Sequence, residues 1–316
     1  MRQRGAALLL AMLTVALVAT LASAALWRQW RAIEVEASER ARLQAVWILS
    51  GALDWARLIL REDARTSSVD HLGEPWAVVL QETRLSSFLA QEGQDTTDLD
   101  SVFLSGAITD AQSRMNLTNL SVGGTLSEPD QQALARLFEQ LGLATDELDR
   151  LTEQLLLVQG ATAGTDAGAR TPLRPQRLEQ LRWLGLGQDT LRRLQPYLVL
   201  LPARTPLNLN TAGAEVIAAS IAGLELSEAR KLVEARDKRP LRSLAEAQRL
   251  LPADMAALAP ARFSVASRYF QVHGRLRIDA IVVEERSLLD RNGLGVFTIW
   301  RERVAPSIAL VPEPLR

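Results

Sequence analysis

His71 stands between Asp70 and Glu74, the one place in the chain where an imidazole and flanking carboxylates suggest acid–base chemistry. His273, the only other histidine, precedes Gly274 in a strand-like run. No G-x-S-x-G, P-loop, H-E-x-x-H or EF-hand pattern accompanies either residue, so nothing pairs them with a nucleophile or a phosphate cradle. The plain reading is a hydrogen-bonded turn at His71 and a turn or surface residue at His273. The chain has no cysteine, which removes disulfides, zinc–thiolate and iron–sulfur sites, and thiol nucleophiles. No residue is assigned a catalytic role, and the protein is expected not to be an enzyme.

Two other groups could bind rather than react. Asp95, Asp98 and Asp100 place three hard oxygen donors in the loop 91–100, QEGQDTTDLD. Such donors suit Ca²⁺, although a solvated acidic loop explains them as well. The run from Leu207 to Leu250 resembles a helix-hairpin-helix DNA module, in which a G-x-G hairpin offers backbone N–H groups to a phosphate. Here the hairpin reads Gly223-Leu224-Glu225, so an acid replaces the second glycine. Arg230, Lys231, Arg236, Lys238, Arg239 and Arg242 come after it, but 36 basic against 37 acidic residues leave no overall basic excess. Asn210 and Thr211 are expected to cap the next helix whether or not DNA is involved.

These residues must be positioned by a chain of 316 residues, 47% hydrophobic and 23% charged, which is ample for a core. Its start is different in kind. Ala6 to Leu26 is a 21-residue apolar run behind Arg2 and Arg4. As a helix it spans roughly 30 Å, enough to cross a bilayer with the N-terminus in the cytoplasm. Three readings fit: a secretory signal cut after Ala22-Ser23-Ala24, a plain signal anchor, or a prepilin-type leader cut between Gly5 and Ala6. The residues after the run favour the third. Leu26, Trp30, Ile33, Ala37, Ala41, Ala45, Ile48, Ala52, Trp55 and Ile59 recur at steps of three or four, and no proline interrupts Ala6 to Glu62. One continuous helix is expected. Trp27 and Trp30, just past the apolar run, suit the membrane–water boundary.

Beyond it, residues 65–80 read as irregular chain, and Val102 to Ile108 as a strand broken at Ser105-Gly106. Ser127 is a candidate N-cap, with Pro129 and acids in the first turn. Helices are expected over 146–158, 176–184 and 188–200, then from Thr211 to about Leu258. From Phe263 the period turns strand-like, with Val272, Leu276, Ile278, Ala280 and Val282 on one face, and VFTIWRER is the last strand. Strand content at both ends of a helical stretch suggests one α+β domain with a helical insertion.

The basic leader, Gly5-Ala6 and the unbroken helix resemble the N-terminus of type IV pilin-like proteins. DHLGEPWA (Asp70–Ala77), DAQSRMNLTNL (Asp110–Leu120), LNLNTAGAEVIAASI (Leu207–Ile221) and FSVASRYFQVHG (Phe263–Gly274) each resemble segments of the type II secretion protein K family. Pilins carry Glu at the fifth position after the cleaved glycine; here that position is Leu10, a departure typical of this family among pseudopilins. The resemblance implies a pilin-like antiparallel sheet domain behind a transmembrane and amphipathic helix, with a large inserted helical domain, SAM-like or helix-hairpin-helix-like. The expected division is leader 1–5, membrane half 6–26, pilin-like first part 27–120, inserted helices 121–260 (121–205 and 206–260), last strands 261–303 and tail 304–316. It implies a minor pseudopilin at the tip of a periplasmic pseudopilus, processed by prepilin peptidase and methylated at Ala6, anchored in the bacterial inner membrane with its body in the periplasm. Implied partners are the I and J minor pseudopilins, meeting a helix face at Trp30, Ile33, Ala37, Ala41 and Ile48, unless that stripe only covers the protein's own sheet. Leu10 is the implied tip determinant. The resemblance also implies calcium binding in the pilin-like domain, and no other cofactor is expected. The rival readings are a membrane-anchored DNA-binding protein of competence and a pilus-tip adhesin.

Overall fold

The computed structural model describes residues 3–89, 101–123, 125–160, 173–279 and 281–304. Helix α1 (Gln3–Thr66) runs unbroken for 64 residues, about 95 Å at the standard rise. Residues 7–37 are exposed all round. Ser38 and Ala41 are the first half-buried positions, and the line continues through Ala45, Leu49, Leu53, Ala56 and Leu60. Those steps of three and four form the one stripe that a helix can lay on a flat neighbour.

The neighbour is an antiparallel sheet. Its strands are β1 (Leu80–Arg84), followed by the short helix α2 (Leu85–Leu89), and β2 (Val102–Asp110). The chain then leaves the sheet and returns much later. Three small pairings mark the excursion: β3 (Met115–Asn116) with β6 (Leu198–Val199), β4 (Ser121–Val122) with β5 (Thr125–Leu126), and β7 (Leu207–Asn208) with β8 (Phe263–Ser264). The sheet is completed by β9 (Tyr269–Ile278), β10 (Ile281–Asn292) and β11 (Gly295–Val304), in the order β1-β2-β9-β10-β11. Leu49, Val102, Leu104, Leu276 and Ile278 form one part of the core beneath α1. Leu53, Leu60, Trp76, Phe270 and Leu289 form the other.

Two expectations about the sheet change, and the helix expected over 188–200 ends at Leu194, with Leu198–Val199 forming a strand instead. β2 is not broken at Ser105-Gly106, because Gly106 faces Gly274 across the ladder. A Cβ on Gly106 would lie 2.8 Å from the His273 carbonyl oxygen, so glycine here allows the strand to continue. The expected face through Val282 also fails beyond Ile278. A tight hairpin pairs Ile278 with Ile281 and Leu276 with Val283, which resets the alternation and puts Val283, not Val282, against the core. Ala280, expected on the same face, lies outside the described residues.

The excursion carries α3 (Glu128–Gln140), α4 (Thr145–Gly160), a 3₁₀ turn (Leu178–Leu184), α5 (Gln188–Leu194), α6 (Ala214–Ser220), α7 (Leu226–Lys238) and α8 (Leu244–Leu250). Ser127 does occupy the α3 N-cap, though its hydroxyl donates to Asp130 Oδ2 rather than serving the backbone. Two apolar clusters hold these helices, one around Leu137, Leu151, Leu181 and Leu194, the other around Ile217, Leu232 and Leu241.

Candidate functional site

Gly5 and Ala6 lie within α1, and Leu10 is an exposed position on it. The helix is long and apolar enough near its start to cross a membrane, and none of its apolar window is buried in the body. The expected partner stripe divides in two. Trp30, Ile33 and Ala37 are exposed and clear of the sheet. Ala41 and Ile48 are half-buried on the core beneath α1, so the upper part of the stripe covers the protein's own sheet.

At the far end of α1 the four family-like segments converge on one buried polar junction. Asp110, which begins the second segment, is 3% exposed. Its carboxylate accepts hydrogen bonds from the Gln112 backbone N–H (2.7 Å), Asn208 Nδ2 (3.0 Å), the Thr211 hydroxyl (2.5 Å) and the Ser267 hydroxyl (2.6 Å). Asn208 and Thr211 belong to the third segment and Ser267 to the fourth. Asn208 Nδ2 also donates to the carbonyl of Asp70, the first residue of the first segment, and the Ser267 N–H donates to Asp70 Oδ2 (2.6 Å). Gln112 adds a bond to the Pro206 carbonyl and accepts from the Arg268 N–H. Burial pushes the Asp110 carboxyl above the usual carboxylate range, against the pull of these donors. Thr211 therefore serves Asp110 and not a helix end. Gly213 takes the α6 N-cap, while Asn210 ties Leu241 through both its amide atoms.

Beside the junction, Arg291 of β10 donates to Asp63 Oδ2 (2.8 Å) on the last turn of α1, to Asp70 Oδ1 and to the Ser267 carbonyl. Glu74 Oε2 accepts from the His71 N–H (2.9 Å) and the Trp76 indole N–H (2.8 Å). Burial, with Glu74 and Asp70 nearby, raises the Asp63 carboxyl to about 6. Asp63, Asp70 and Glu74 form a buried group whose oxygens lie close enough together to hold a metal ion. The chemistry of the donors argues otherwise: Arg291, an indole and two backbone N–H groups already engage them, and a divalent cation would have to displace the guanidinium. The cluster is an arginine-neutralised joint that sequence reading missed, because Arg291 lies more than two hundred residues from the acids it holds. Asp95, Asp98 and Asp100 lie outside the described residues.

The remaining candidates find structural places. His71 Nδ1 accepts the Gly73 N–H in a turn. His273 lies on β9, with Glu284 3.6 Å away, and burial lowers its pKa. Gly223 takes φ +78°, and Glu225 caps α7 where a phosphate would sit in a DNA module. Arg236 is buried with its guanidinium on the Leu209 carbonyl, and burial lowers it to about 10. It is therefore unavailable to nucleic acid.

A long apolar helix laid on a five-stranded antiparallel sheet, with a helical excursion locked to its far end, defines a membrane-anchored pilin-like subunit. Two family models, both described as type II secretion system protein K, match residues 113–203 and 207–266. A Klebsiella pneumoniae type II secretion system protein K is 32% identical, covering 92% of this chain and 94% of the relative. The protein K of Pseudomonas aeruginosa is 28% identical, with 95% and 89% covered. The fold matches a chain in the crystal structure of the GspK-GspI-GspJ complex from the enterotoxigenic Escherichia coli type 2 secretion system, with TM-score 0.65 and 19% identity over 85% of this chain and 99% of that one. The chain belongs to the type II secretion system protein K family, the minor pseudopilins of that machinery.

Proposed function

We propose that this subunit sits at the tip of the periplasmic pseudopilus and helps to start its assembly. The observation that carries this is where the helical excursion is attached. Asp63, in the last turn of α1, and Asp70, four residues past its end, meet the junction that holds it. Asp63 lies 37 residues beyond Leu26, about 55 Å along the helix from the membrane boundary. Helices at that end obstruct any subunit above and leave the lower face open to subunits added from the membrane. Leu10 agrees with this. It gives no carboxylate for the amine of a neighbour above and avoids the cost of a charge in the bilayer. The division into leader 1–5, anchor 6–26, pilin-like parts 27–120 and 261–303, inserted helices 121–260 and tail 304–316 belongs to the same reading. So do cleavage after Gly5, inner-membrane anchorage and a periplasmic body.

The partners are the I and J minor pseudopilins, as in the solved complex of the Escherichia coli proteins. Trp30, Ile33 and Ala37 are the part of the helix stripe left over by the sheet for meeting them. The test is co-purification of the full chain with both subunits from membranes. One stable ternary complex is expected, with Leu10→Glu admitting the chain to interior layers. Capture of neither subunit contradicts the reading.

A further inference from the structure

The helical excursion has a cleft of about 30 Å³ at the seam between its two apolar clusters. Met115, which packs against both clusters, lines it, with Leu134 from one and Phe263 from the other. Arg114, Asp130 and Arg262 supply its charges, and the charges do not balance. Arg262 donates to the carbonyls of Pro129 and Ser220. Its Nε lies 3.4 Å from Asp130 Oδ1 yet finds no hydrogen-bond partner among the described residues. Arg204 reaches the other oxygen of Asp130 only at 3.5 Å. Arg136 donates to the Ala219 carbonyl (2.8 Å), next to the Ser220 carbonyl held by Arg262. Burial, together with the Arg262 charge, lowers the Arg136 pKa. The described ion pairs thus set one acid, Asp130, against Arg204 and Arg262, and none against Arg136. Arg114 donates to Gln271 Oε1, and burial lowers it to about 10. The carbonyls at the end of α6 explain why Arg136 and Arg262 lie there, but a helix end carries only about half a charge. Half-buried cations short of counter-charge are unfavourable, and an anion in the cleft offsets this.

We propose that this cleft binds the carboxylate of an acidic side chain, presented between apolar neighbours by a peptide segment of another protein. The size selects a group rather than a whole small molecule. About 30 Å³ holds about two water molecules, which suits the two oxygens of a carboxylate, whereas small-molecule pockets start at about 300 Å³. The sign and valence follow from the charges. Three guanidiniums over one carboxylate attract an anion, and Asp130 opposes a phosphate dianion more strongly than a single charge. A carboxylate also offers Arg262 the directed partner that Asp130 does not provide. Met115, Leu134 and Phe263 favour leucine-like residues on either side of the acid. The proposal does not depend on where the subunit sits in the pseudopilus.

The Met115 methyl is the reporter, and Met255, which does not line the cleft, is the internal control. The full chain in detergent, with isotope-labelled methionine methyls assigned through Met115→Leu, is followed by NMR. It is titrated with acetyl-Leu-Glu-Leu-amide, with acetyl-Leu-Gln-Leu-amide and with inorganic phosphate. A saturating shift of Met115 by the acidic peptide is expected, with Met255 unmoved. The amide peptide should bind about tenfold more weakly, for loss of a charge-assisted contact. Arg262→Gln should weaken the acidic peptide by a similar factor. Asp130→Asn should tighten it several-fold, which a purely structural role for Asp130 would not do. If Arg262→Gln moves Met255 and so disturbs the fold, Asp130→Asn decides. No Met115 shift, equal binding of the two peptides, indifference to a folded Arg262→Gln, or unchanged or weaker binding by Asp130→Asn overturns the site. Displacement of the acidic peptide by phosphate at lower concentration would mark an inorganic-anion site and overturn the peptide assignment.

Discussion

Asp110→Ala should loosen the helical excursion from the sheet. The carboxylate accepts four hydrogen bonds from three of the family-like segments. After truncation, Asn208 Nδ2 keeps the Asp70 carbonyl and Ser267 Oγ, and Thr211 retains only a long contact to the Asn208 carbonyl. The Gln112 N–H and one hydroxyl are left without an acceptor. Each such buried orphan costs about 1–3 kcal/mol, so about 3 kcal/mol is expected once relief of the desolvated charge is set against it. For a body of this size that is about 6–12 °C in Tm. Asp110→Asn should cost only about 1–2 kcal/mol, because the Thr211 and Ser267 hydroxyls can rotate to accept from its amide. The assay is urea unfolding of the detergent-solubilised chain, read by far-UV circular dichroism for the helices and by hydrogen exchange of β9 and β10 amides for the sheet. The two transitions should coincide in the wild type and separate in Asp110→Ala. A cost below about 1 kcal/mol with coincident transitions would refute the junction as the element that joins the two parts.

The same region and its neighbour carry two further predictions. Asp63 has a folded-state pKa of about 6, above its unfolded value, so the folded state binds more protons between these limits and stability should fall as pH rises from about 4 to above 6. Asp63→Asn should flatten that slope in unfolding curves measured across this range. Gly106→Ala puts a methyl 2.8 Å from the His273 carbonyl and should cost about 1–3 kcal/mol by forcing β2 from β9, whereas Gly274→Ala meets only the flexible end of Leu49 at 3.1 Å and should lower Tm less.

The long helix and the two-ended sheet were legible because each depends on local periodicity: an unbroken run without proline for α1, and alternation for β9 and β11. The four segments were recognisable individually, but their convergence was not. Asp110 and Ser267 are 157 residues apart, and no local pattern announces such a pair. The division of the helix face was hidden for a related reason. Ala41 and Ile48 belong to the same apolar periodicity as Trp30 and Ile33, and only the sheet's position separates residues used internally from those left exposed. Thr211 looked like a cap because it preceded a helix, yet a buried carboxylate competed for its hydroxyl. Arg236, one of six basic residues after the hairpin, could not be separated from its exposed neighbours until its guanidinium was seen against the Leu209 carbonyl.

Whether α1 enters the membrane as the start of a mature pilin-like subunit is tested most directly by the N-terminal mass of the protein purified from membranes. A chain beginning at a methylated Ala6, retaining the whole apolar segment through Leu26, is expected. A chain beginning at Ala25, or one with Met1 to Gly5 intact, would contradict it.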